Sequence, residues 1–211
     1  MKLTKDEIQM IDSFLVGQNI KYLDVRSELI DHLATDFEEN SNYVLLEDYL
    51  MTKVSFIKDF AKKQQKSIHW SYQKQLWIQL AKFFYKPKFA LLLFGLAGLG
   101  YIVLQFFTLE RFSLICYFVL VTLVLYLLFY QMKYSKAIKK VQSLQSLFAV
   151  TGLPLLFLYS FYFIRDTLFE NPVVLIFYCS FSILLGLSAL IIIKNNRKKV
   201  LEKYYQLINK E

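Results

Sequence analysis

The residues of this chain whose types and spacing could do chemistry are concentrated in one short segment: Asp24, Glu28, Asp31 and His32. On a helix, side chains four apart are neighbours, so Glu28 is placed to accept a hydrogen bond from His32 and to favour its charged form. The same pair, with Asp31 or Asp24 beside it, offers the oxygen and imidazole donors that divalent metals take. A metal site wants a third and a fourth ligand, however. The only other histidine, His69, is more than thirty residues away, and neither Cys116 nor Cys179 stands at ligand spacing. The residues therefore favour a structural pair that fixes its helix, ahead of a partner contact and ahead of a metal or catalytic site. No cofactor is expected. Nor is an enzyme: the chain has no glycine-rich phosphate loop, Gly-x-Ser-x-Gly elbow, zinc-protease helix or kinase set. Its three prolines and six glycines are too few to build a loop-rich active site.

The elements that must position these residues are helices. Thr4-Lys5-Asp6-Glu7 fits a capping box, and Ile8, Ile11, Phe14 and Leu15 then form an apolar stripe, with Gly17 as the stop. A second helix over Tyr22–Glu39 carries Val25, Leu29, Leu33 and Phe37 at strict four-residue spacing, and Asn40-Ser41-Asn42 breaks it. A third is predicted from Leu45 to about Lys63, and a fourth over about Ile68–Tyr85 with Tyr72, Leu76, Trp77, Leu80, Phe83 and Phe84. Residues 1–65 thus read as a helical domain and 66–88 as a juxtamembrane amphipathic helix.

The run Glu28-Leu29-Ile30-Asp31-His32-Leu33, a Glu followed by a His-Leu, resembles the signature of the HAAS-type cytoplasmic helical domain. The opening Leu3-Thr4-Lys5-Asp6-Glu7-Ile8-Gln9 and the Asp31-His32-Leu33-Ala34-Thr35 stretch are also similar to small uncharacterised membrane proteins of Bacteroidetes. The resemblance covers about residues 4–65. It implies a regulatory or signalling head placed before membrane spans, with no catalysis and no cofactor.

Four apolar runs approach the ~20 residues a helix needs to cross a bilayer. They are 89–107, 112–130, 144–163 and 173–193. Backbone groups in lipid must be paired internally, so the runs are helices, and the fold class is all-α: an N-terminal helical domain followed by a four-helix transmembrane bundle. Pro154 should kink the third run. None contains Asp, Glu, Lys, Arg or His, which argues against a proton- or ion-coupled transporter. Gly95 and Gly98 in the first run, and Ser182 and Gly186 in the fourth, have the spacing of close helix-packing seams, internal or between two copies of the chain. Cys116 and Cys179 read as buried apolar residues.

Charge then sets orientation. Residues 1–60 hold 12 of the 17 acids and 6 of the 25 bases, a net of −6; the rest hold 19 bases and 5 acids, a net of +14. The positive excess flanks the apolar runs, which points to a membrane and not to nucleic acid. Thirteen Lys and Arg residues, from Lys82 to Lys210, lie on the side of the N-terminus, against Arg111 and Arg165 opposite. Both termini are expected in the cytoplasm of a bacterium, at its inner membrane. Met1–Ile20 is charged and amphipathic, unlike a signal peptide. The basic tail 194–211 is expected to continue the fourth run as a helix that meets anionic lipid or the acidic head. The composite expectation is a membrane-anchored regulatory or scaffold protein with a protein partner on residues 1–65. The alternative is a subunit of a larger transport or secretion complex.

Overall fold

The structure, a computed structural model, describes residues 3–40 and 43–208. Ser41 and Asn42 of the helix-two break, and Lys210 of the tail, lie outside the described residues. Nine-tenths of the chain is helical and no strand occurs among the described residues, so the protein is all-α. In chain order the helices are α1 (Lys5–Gly17), α2 (Leu23–Asn40), α3 (Leu46–Thr52), α4 (Val54–Tyr85), α5 (Pro87–Phe106) and α6 (Leu109–Lys133). They continue with α7 (Ser135–Ile138), α8 (Gln142–Phe148), a 3-10 turn (Ala149–Thr151), α9 (Gly152–Phe163), α10 (Arg165–Glu170) and α11 (Pro172–Ile208).

Two compact units share these helices. The first is a helical head of Met1–Trp70, to which Ser135–Ser146 and Lys198–Glu211 also belong. It is built as its periodicity dictates. Thr4 Oγ1 accepts the Glu7 N–H while the Glu7 carboxylate reaches back to the Thr4 N–H at 2.7 Å, closing the capping box that starts α1. Ile11 and Leu15 of α1, Val25, Leu29 and Leu33 of α2, Tyr49 and Leu50 of α3 and Ile57 of α4 then form one core. Each such aliphatic side chain contributes about 1.5–3 kcal/mol by leaving water. α1 ends at Gly17 with Gln18 as its C-cap, and Asn19 just beyond takes the left-handed conformation (φ 66°), which asparagine tolerates better than most residues.

The helix boundary expected between Lys63 and Ile68 lies instead at Lys53. Lys63-Gln64-Gln65-Lys66-Ser67 holds no glycine or proline, and its lysines and glutamines are good helix formers, so α4 runs unbroken for 32 residues. At Thr52 the hydroxyl donates to the Tyr49 carbonyl at 2.6 Å, a local bond that competes with the helical ladder. The chain leaves the helix one residue later.

The second unit comprises Ser71–Tyr134 and Leu147–Arg197. Four stretches of the chain are long and apolar enough to cross a membrane: Phe89–Phe106, Leu109–Lys133, Gln142–Phe163 and Pro172–Ile208. They make this a multi-pass membrane protein. The third is interrupted where Pro154 predicts it. Proline has no N–H to give the Val150 carbonyl, and Ala149–Thr151 tightens into a 3-10 turn directly ahead of it. Pro154 itself sits harmlessly in the first turn of α9. The fourth run and its basic extension are one helix of 37 residues. Within this unit Phe112 and Cys116 of α6 pack with Phe161 of α9 and Leu175 and Cys179 of α11.

Candidate functional site

The four residues singled out by their chemistry do not converge. Asp24, in the first turn of α2, is almost fully buried, at 3% exposure, and its partners are not those of Glu28 and His32. Its carboxylate accepts the backbone N–H groups of Gln142 and Ser143, both at 2.9 Å, and the Ser143 hydroxyl at 2.6 Å. These are the first donors of α8. Asp24 therefore caps a helix from more than a hundred residues away, where the helix dipole also favours its negative charge. The Leu23 N–H donates to the Lys140 carbonyl at 2.9 Å, and the Tyr22 hydroxyl donates to Gln145. Asp24 is thus a structural anchor that makes Ser135–Ser146 part of the head.

Glu28 and His32 do share a face, as their spacing requires, and that face looks onto α4. The carboxylate of Glu28 accepts from the side-chain amide of Gln64, and the His32 ring stands edge-on to Phe60 with centroids 5.1 Å apart. No hydrogen bond joins the two among the described residues. Each ties α2 to α4 separately, and the expected internal pair is replaced by two contacts with a neighbouring helix. Asp31 is exposed. Among the described residues no group of three or more His, Cys, Asp and Glu is placed to hold a metal ion.

A second feature of the head has no counterpart in the sequence reading. Between α1 and α3 lies an open groove of about 440 Å³, floored by Met10, Phe14, Leu50 and Met51 and edged by Glu47, Asp48 and Ser13. Met10 is 40% and Met51 67% exposed, although Ile11 and Leu50 beside them are fully buried. The signal was present in the sequence. Met10 lies outside the Ile11–Leu15 stripe, and Met51 follows Tyr49 and Leu50, which already fill the core position of α3. An apolar residue beyond a completed stripe has no interior partner.

Behind the groove, Tyr49 donates to Asp36 at 2.6 Å, and Lys53 pairs with the same carboxylate at 2.7 Å. Burial, followed by the hydrogen bond and the charge of Asp36, pushes the Tyr49 phenol well above the usual tyrosine range. Glu7, held by the backbone and hydroxyl of Thr4, lies below the usual carboxylate range.

In the spans, the small residues separate into two groups. A Cβ on Gly186 would meet Leu123 Cδ2 at 2.3 Å, so α11 and α6 approach through the absence of a side chain there. Ser182 donates to its own helix, to the Tyr178 carbonyl at 2.8 Å. A Cβ on Gly95 or Gly98 would meet nothing within 4 Å, and no residue of the Phe89–Phe106 window is buried. Of the α5 glycines, Gly100 is the one that faces a neighbour, Ile176 and Phe112.

No family model, curated protein or solved structure matches this chain.

Proposed function

We propose that this is a membrane-anchored regulatory or scaffold protein whose helical head binds a protein partner in the cytoplasm, without catalysis of its own. One observation carries the reading: a head with a complete core of its own leaves Met10 and Met51 of the α1–α3 groove exposed to water. An open apolar surface rimmed by charge marks an interaction site more often than it marks idle surface. The signature at Glu28–Leu33 supports a HAAS-type head, and the excess of Lys and Arg on one side of the spans supports cytoplasmic termini in a bacterial inner membrane. The exposed lysines of the α11 extension, Lys198, Lys199 and Lys203, suit anionic lipid.

A second reading, a subunit of a larger transport or secretion complex, is favoured by α5. Its glycine face at Gly95 and Gly98 is open, as it would be if another membrane helix, from a second copy or a different subunit, packed there.

The test is affinity purification of the full-length chain from native membranes in mild detergent, beside a Gly95→Leu/Gly98→Leu variant and a Glu28→Ala/His32→Ala variant. A soluble protein that co-purifies with wild type and with the glycine variant supports the adaptor reading. Membrane proteins alone, lost from the glycine variant, would replace it with the complex-subunit reading. Truncation at residue 65 is not a clean comparison, because it removes the partners of Asp24.

A further inference from the structure

We infer that the α1–α3 groove receives a basic amphipathic helix of the partner protein, an inference that rests on the adaptor reading above. The floor is contributed by side chains one helical turn apart on α1 (Met10, Phe14) and by Leu50 and Met51 on α3. A third helix laid between these two completes an ordinary helix-on-helix packing, and its anchors would be apolar residues at i, i+3 or i+4 and i+7. Two of the four floor residues are methionines, whose unbranched thioether chains adapt to differently shaped apolar anchors.

Charge decides the rest. The carboxylates of Glu47 and Asp48 edge the groove, and no Lys, Arg or His lines it. Asp6, one turn before Met10 on α1, extends the acidic edge along the helix. A neutral apolar helix would cover these carboxylates without replacing their water, whereas lysines and arginines flanking the anchors would pair with them. An anionic membrane surface is repelled by the same rim. The protein's own basic extension is already committed, since Val200 on its apolar side is buried.

The test uses the full chain in phosphatidylcholine nanodiscs, with empty discs as the baseline. The probe is a fluorescein-labelled peptide with leucine at i, i+3, i+4 and i+7 and lysine on the other face. Anisotropy should show saturable binding to wild type, weakened about tenfold or more by Glu47→Lys/Asp48→Lys. Met10→Gln/Met51→Gln, which keeps the charges, should weaken it comparably, and circular dichroism checks that both variants keep their helix content. The same peptide with glutamate for lysine should not bind. Equal binding by a scrambled lysine–leucine peptide, or unchanged binding to both variants, overturns the inference. A soluble partner captured equally by wild type and by Glu47→Lys/Asp48→Lys overturns the groove while leaving the adaptor reading in place. Capture of membrane proteins alone removes both.

Discussion

The Asp24 carboxylate accepts both the backbone N–H and the hydroxyl of Ser143, a residue 119 positions further along the chain. With the Gln142 N–H this makes three hydrogen bonds from α8 to one buried charge, which also accepts the Val25 N–H, and a charged acceptor contributes about 1.5–3 kcal/mol per bond. Asp24→Ala leaves those donors buried and unpaired. We expect a loss of about 2–4 kcal/mol in head stability, since breaking a buried charged contact on one side is costly. Asp24→Asn, whose amide oxygen still accepts, should cost less. Amide hydrogen exchange at Gln142 and Ser143 is the direct readout: protection unchanged in Asp24→Ala would refute the capping role.

Core substitution at Leu29 should be severe. Leu29 is fully buried among α1, α3 and α4 side chains, so Leu29→Ala should cost about 2–5 kcal/mol through lost transfer energy and a cavity. Urea unfolding followed by tryptophan fluorescence measures it. A loss comparable with that of an exposed-site control such as Asp31→Ala would contradict the packing described.

The head should weaken at both ends of the pH scale. Tyr49 has a raised phenol in the folded state, so folded protein holds that proton more tightly than unfolded chain does. The stability this supplies is complete at neutral pH. It is lost as pH climbs above about 10, the ordinary tyrosine value. Tyr49→Phe should flatten the alkaline limb of a stability–pH curve, at a cost of about 1 kcal/mol for the bond to Asp36. Glu7 works in the opposite sense: its lowered carboxyl supplies stability at neutral pH that disappears as acid protonates it, and Glu7→Gln should remove that part of the acid limb. Curves parallel to wild type in both variants would sink this account.

Glycine positions in the spans make opposite predictions. Gly186→Ala forces Leu123 aside and should destabilise by about 1–3 kcal/mol, with partial rescue by Leu123→Ala. Gly95→Ala and Gly98→Ala meet nothing and should leave detergent thermal stability of the isolated chain unchanged or slightly raised. If all three variants melt alike, the α6–α11 approach is not as close as the geometry states.

Much of this was legible in residue order. The capping box at Thr4–Glu7, the four-residue spacing of Val25, Leu29 and Leu33, and the four apolar runs are local signals, and local rules of periodicity and capping read them. The interruption ahead of Pro154 is another. What escaped was set by distance or by competition. Nothing near Asp24 in sequence announces Gln142 and Ser143, because a cap supplied by another helix leaves no pattern at either end. The spacing of Glu28 and His32 points to each other as partners, since spacing on one helix is visible in the sequence and the Gln64 and Phe60 of a packed neighbour are not. Polar residues 63–67 suggest a division between the third and fourth helices, but polarity does not stop a helix; the turn at Lys53, whose N–H goes to the Leu50 carbonyl, does. The groove leaves no periodic signal, because Met10 and Met51 each lie outside a stripe that is already complete.

The cap on α8 also imposes an order of events during synthesis. When α1 to α3 have left the ribosome, Asp24 is present but Gln142 and Ser143 are not. At about 5–20 residues per second, translation of the intervening 119 residues takes on the order of ten seconds. Throughout that interval the head is a nascent fragment whose anchoring carboxylate still faces water. Two apolar stretches, Phe89–Phe106 and Leu109–Lys133, must be made before the residue that completes it exists. Maturation of the N-terminal fold is thereby timed by elongation through the first half of the membrane region, which makes the finished head a report that those segments have already been made.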